Sequence, residues 1–164
     1  MKTKIKSRFM AQAAIVAALY VALTLITAAF GLANGPIQLR LSEALTVLPC
    51  IMPASIPGLT LGCLLANLLT GAAPLDVVFG SLATLIGAAF TYRLRRYKLL
   101  APLPPIVSNT VIIPFVLSYV YKFEGSLWYF ALTVGIGEIL SCGVLGYILL
   151  LALKRLPSDL FNGR

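Results

Sequence analysis

The stretch LRLSEALTVLPCIMPASIPGLTLGCLLANLLT, residues 39–70, decides how this chain folds. It is apolar, it carries Pro49, Pro53 and Pro57, and it opens on two charges, Arg40 and Glu43. A lipid-spanning helix needs about 20 apolar residues, so the stretch is too long for one straight span and too short for two full ones. Proline inside a helix removes a hydrogen bond and breaks or kinks it. Two readings follow: two short helices broken around Pro53–Pro57, or a re-entrant hairpin.

The rest of the chain sets the frame. Of 164 residues, 60% are hydrophobic and 11% charged, whereas soluble domains are roughly half apolar and a quarter charged. The composition specifies an integral membrane protein, read as a single helical domain over residues 1–164. Clear apolar runs cover Phe9–Leu32, Leu75–Tyr92, Leu103–Tyr121 and Leu127–Leu153. The first follows a basic region, as a signal peptide would, but its length of about 36 Å as a helix makes it a retained span.

The net charge of +8 is clustered. Lys2, Lys4, Lys6 and Arg8 precede the first run; Arg93, Arg95, Arg96 and Lys98 form a second group; Lys154, Arg155 and Arg164 form a third. Short basic segments between apolar spans mark the cytoplasmic side, which is a better account of them than nucleic acid. An even number of crossings must then separate Arg8 from Arg93. Two short helices over residues 39–70 satisfy this and give six transmembrane helices, with helices 2 and 3 short and proline-broken and both termini cytoplasmic. The re-entrant hairpin also satisfies it. Residues 34–42, 71–75 and 122–126 become external loops. Irregular backbone at membrane depth is tolerated only against protein or a water-filled cavity, so the breaks fit either a ligand cavity or a plain kink.

The five acids are Glu43, Asp76, Glu124, Glu138 and Asp159. Glu124 and Asp159 belong to loops. Glu43, Asp76 and Glu138 fall in the outer half of the membrane under this topology. Gly135, Glu138, Cys142 and Gly146 share one helix face, and so do Asp76, Gly80, Thr84 and Gly87. Asn67 and Asn109 add amides inside other spans. Intramembrane acids are functional-site candidates by default, and three at one depth suit a pocket for a cationic or hydrogen-bond-donating small molecule. A structural polar network is the bland alternative. For Arg40 and Glu43 the choice is between a salt bridge at a helix start and a lid over the pocket.

No histidine is present, nor HExxH, GxSxG or a Walker A loop, so the sequence offers no catalytic apparatus and no means to hydrolyse ATP by itself. Cys50, Cys63 and Cys142 lie in apolar surroundings without metal-type spacing. They read as buried small hydrophobes, and no metal or cofactor is expected. In the first helix Ala13–Ala17 and Ala14–Ala18 form overlapping small-xxx-small pairs, suited to close docking of a helix from this chain or from a partner.

The stretches IQLRLSEALTVLP, PGLTLGCLLANLLTG, LDVVFGSLATL, APLPP and GIGE, spread over nearly the whole chain, carry a resemblance to the QueT family, substrate-binding S components of energy-coupling factor (ECF) vitamin transporters. The resemblance implies an S component in the cytoplasmic membrane of a prokaryote that captures a queuosine precursor, a deazaguanine base such as aminomethyl-deazaguanine. It implies a transmembrane coupling protein and two ATPase subunits as partners, delivery by toppling of the whole component, and docking of the coupling protein on Ala13, Ala14, Ala17 and Ala18. A carboxylate can accept both the N–H and the amino group of a guanine-like edge, and an aminomethyl arm seeks a second acid. Glu43, Asp76 and Glu138 would bind the ligand, with Asn67 and Asn109 as secondary contacts and Trp128 or Phe30 stacking on the base. Arg40 would pair with an acid to hold a lid. The rivals are a stand-alone secondary transporter, an S component for another vitamin-like substrate, and a ligand-free scaffold.

Overall fold

Six helical rods follow one another in the computed structural model, which describes residues 2–31 and 39–155, with side chains from Lys6 onward. Most of the loop expected over residues 34–42, together with Asp159 and Arg164, lies outside the described residues. The rods are α1 (Lys2–Ala29), α2 (Leu41–Cys50), α3 (Ser55–Leu69), α4 (Pro74–Arg93), α5 (Lys98–Val120) and α6 (Leu127–Leu153). Four of them, α1, α4, α5 and α6, are long and apolar enough to cross a membrane.

Residues 39–70 form two short helices, as the proline spacing predicts. The break falls at residues 51–54, around Pro53. Pro57 sits in the first turn of α3, where its missing N–H is no loss. The structure differs from expectation in the character of α2, which is a 3-10 helix with Pro49 inside it. At about 2 Å per residue, its ten residues reach roughly 20 Å, against roughly 15 Å as an α-helix. The fifteen residues of α3 reach about 22 Å. Each is shorter than a hydrocarbon core of about 30 Å.

Short as it is, α2 is the centre of the molecule. The other rods stand in a row, α1–α3–α4–α5–α6, and α2 packs against α1, α3, α4 and α6. Eight of its residues, Ser42 to Cys50 without Ala44, are buried. In lipid there is little hydrophobic gain in bringing helices together, so close approach by small residues carries the packing. At Gly62 an added Cβ would lie 2.8 Å from Tyr20 Cβ and 3.1 Å from Ala17 Cα, and at Gly58 one would lie 2.6 Å from the Ala13 carbonyl oxygen. The α1–α3 seam is therefore a four-residue glycine spacing laid on Ala13 and Ala17.

Both inward stripes read from the sequence face inward here. Asp76, Gly80, Thr84 and Gly87 are buried on α4, as are Glu138, Cys142 and Gly146 on α6, while Gly135 is partly buried. The last rod is α-helical to Glu138, widens to a π-helix over Ile139–Leu145, and closes as an α-helix from Gly146. A second π segment, Val116–Val120, ends α5.

Candidate functional site

The three-residue period of α2 places Glu43 and Thr46 along one face, with Arg40 just before the helix, and that face meets the inward stripe of α6. Glu43 and Glu138 are 2% and 9% exposed. Their carboxylate oxygens and the Cys142 sulfur lie within 4.8 Å of one another. Asn109 Nδ2 donates to Glu138 Oε1 at 2.9 Å, and the Cys142 thiol donates to Glu138 Oε2 at 3.0 Å. The Tyr20 hydroxyl donates to Glu43 Oε1. Glu43 Oε2 is buried with no partner among the described residues, and so is Arg40 Nε.

The expected pairing of Arg40 with Glu43 is not formed. Arg40, in extended backbone just before α2, sends Nη1 toward Asn67 Oδ1 at 3.5 Å, while Glu43 is taken by Tyr20 from α1. Arg40 precedes the helix and Glu43 lies in its first turn, and each finds its partner on a different neighbour. Arg40 is partly buried at the end of the segment leading into α2, and it lines a cavity with Glu43, Cys63, Gly80, Thr84, Asn109, Ile113, Val134 and Glu138. The free space inside is about 10 Å³, room for about one water molecule, so any organic ligand would need the walls to part.

Asp76 stands at the rim, in the first turn of α4. The Tyr121 hydroxyl donates to its Oδ2 at 2.8 Å and accepts from the Ala73 N–H at 3.1 Å, tying the end of α5 to the start of α4. Its other oxygen lies 3.5 Å from where a Gly80 Cβ would be, and Asn67 Nδ2 lies 2.9 Å from the same point. The bare backbone at Gly80 thus brings Asn67 and Asp76 to the cavity edge.

Trp128 and Phe30 are not part of this assembly. They are 82% and 76% exposed, on α6 and just past the end of α1, and the amphipathic Trp128 ring suits the lipid headgroup level. The alanine pairs are divided as well. Ala17 is buried and Ala13 partly buried against α3, whereas Ala14 and Ala18 are exposed.

Sequence reasoning missed Tyr20, Thr24 and Thr27. They form a buried polar stripe at four- and three-residue spacing on α1, and that spacing was available as a signal. Thr24 Oγ1 donates to Ser42 Oγ at 2.8 Å, and the Leu41 N–H reaches Thr27 Oγ1 at 3.4 Å, so the stripe holds the start of α2. Cys142 is also more than a small hydrophobe: besides its bond to Glu138, its sulfur lies 3.2 Å from Thr46 Oγ1 and 3.4 Å from the Glu43 carbonyl oxygen.

The family model described as QueT transporter matches residues 10–155. The chain belongs to the QueT transporter family. A curated relative from Lactococcus lactis subsp. cremoris (strain MG1363), named Queuosine precursor transporter QueT, is 41% identical over 73 residues, which cover 44% of this chain and 43% of the relative. The chain therefore matches less than half the length of that relative. No solved structure matches. The family spans both acid-bearing stripes and the whole of α2, so the buried site lies within its matched region.

Proposed function

We propose that this QueT-family chain is the S component of an ECF importer that binds a queuosine precursor, a deazaguanine base, from outside. The observation that carries this reading is the convergence of Arg40, just before α2, with Glu43, Asn109 and Glu138 from α2, α5 and α6 on one cavity, with Asn67 of α3 and Asp76 of α4 at its edge. Such a cluster is costly inside an apolar bundle, and its acceptor-rich, anionic character suits a ligand rich in N–H donors. A proton relay across the membrane would need acids through the full thickness, and the described residues hold none in the half toward Arg93.

Both termini face the cytoplasm in this reading, and the basic loop Arg93–Lys98 lies on the same side. Ala14 and Ala18 remain free on α1 to receive a coupling protein, while Ala13 and Ala17 are committed to α3. Energy comes from two ATPase subunits joined through that coupling protein, and delivery follows toppling of the loaded component.

Calorimetric titration of the purified protein in detergent tests the reading. Aminomethyl-deazaguanine is expected to bind saturably, near one per chain, while riboflavin does not bind. Absence of binding in a folded sample overturns it.

A further inference from the structure

Four buried side-chain polar atoms have no partner among the described residues: Arg40 Nε, Glu43 Oε2, Thr110 Oγ1 and Ser141 Oγ. Arg40 and Glu43 line the buried cavity, while Thr110 and Ser141 do not. Buried unpaired groups are costly, charged ones most of all. Here a cation and an anion lie three residues apart and do not satisfy each other. The two residues line the same small cavity, one with a spare donor and the other with a spare acceptor.

The remaining groups extend this pair into an ordered row. Asp76 Oδ1 and Asn67 Nδ2 both border the Gly80 gap, Asn67 meets Arg40 at 3.5 Å, Arg40 directly precedes α2 with Glu43 in its first turn, and a Glu43 oxygen lies within 4.8 Å of a Glu138 oxygen. Along the row the charges read anion, cation, anion, anion. The perimeter of a 7-aminomethyl-deazaguanine reads, in order, ammonium arm, ring carbonyl, ring N–H and exocyclic amino group. The two series are complementary member by member.

We infer that the ligand lies in this one register: its ammonium arm at Asp76, its ring carbonyl accepting from Arg40 Nε, its ring N–H donating to Glu43 Oε2, and its amino group toward Glu138. The inference rests on the deazaguanine reading above and deepens it. It makes Arg40 a ligand contact rather than a lid. It also makes Asp76 the residue that senses the arm. The Tyr121 bond holds Oδ2 and leaves Oδ1 turned to the gap. The reversed register would set the ring carbonyl against Glu43 and leave the Arg40 guanidinium facing an N–H, a donor against a donor.

The test measures affinities of aminomethyl-deazaguanine, of 7-deazaguanine without the arm, and of 2-amino-7-deazapurine, which lacks both the carbonyl and the ring N–H, for wild type and for Asp76→Asn, Glu138→Gln and Arg40→Gln. Asp76→Asn is expected to lose about tenfold or more on the armed ligand and to stay within about twofold on the armless one, as removal of one charge-assisted bond requires. Glu138→Gln is expected to weaken both ligands alike. Arg40→Gln should lose about tenfold on 7-deazaguanine and little on the analogue without the carbonyl. If the arm-dependent loss belongs to Glu138→Gln, or if the Arg40→Gln loss is the same with and without the carbonyl, the register is wrong although the ligand class stands. If wild type, folded by its melting profile, binds none of the three, the deazaguanine reading falls and the register with it. Asp76→Ser and Arg40→Lys serve as second variants should the first not fold.

Discussion

Glu43 and Asp76 are two versions of one device. Each is a buried acid in the first turn of a helix, where the helix dipole favours a carboxylate. Each gives one oxygen to a tyrosine hydroxyl from another helix, Tyr20 for Glu43 and Tyr121 for Asp76. They differ in what surrounds the clamp. Tyr20 is 1% exposed and Glu43 sits at the middle of the bundle, so its second oxygen is sealed off without a partner. Tyr121 is at the rim, and its hydroxyl also accepts from the Ala73 N–H, so the same clamp doubles as a tie between α4 and α5. A tyrosine that holds one carboxylate oxygen aims the other. Depth decides whether the aimed oxygen lies within the buried cavity or at its edge.

The sharpest break of this comparison is Glu43→Gln, which keeps the shape and removes the charge. It should weaken deazaguanine binding by about 10- to 100-fold, the worth of a charged hydrogen bond, with the melting temperature retained; unaltered affinity by titration would remove Glu43 from the site. Next is Gly62→Val. Its added carbon would lie 2.8 Å from Tyr20 Cβ, so it should push the inner clamp aside and cost about 1–3 kcal/mol of stability by overpacking, measured by thermal unfolding.

The two tyrosines can then be compared directly. Tyr20→Phe strands a buried carboxylate oxygen and should cost about 1–3 kcal/mol, whereas Tyr121→Phe, nearer to water, should cost about 0.5–1.5 kcal/mol. Equal losses in thermal unfolding would show that depth does not distinguish the clamps. The smallest effect is expected at Trp128→Ala. The ring is outside the cavity, so affinity should stay within about twofold, the span of an unaltered contact set; a larger loss would place the indole in the site.

Much of this arrangement was legible because helical period and polarity are local properties. The apolar runs gave the long rods, the prolines gave the break near Pro53, and the four-residue spacings on α4 and α6 gave the faces that turn inward. Glu43, Asp76, Glu138, Asn67 and Asn109 were singled out because polar side chains are rare and costly in such runs. The alanine pairs could be found but not apportioned: both have the same spacing, and only the glycines of α3 assign one pair to the interior.

By itself, then, the sequence determined four long apolar rods, a proline-broken segment between the first two, and acids on inward faces, since each of those features depends on residues a few positions apart. Only the tertiary structure decided that α2 is a stretched 3-10 helix at the centre, that Arg40 reaches Asn67 rather than Glu43, that Tyr20 clamps Glu43, and that Trp128 faces outward. These depend on which helix lies beside which, and on where each side chain finds its nearest polar partner. Spacing along one rod carries no record of its neighbours.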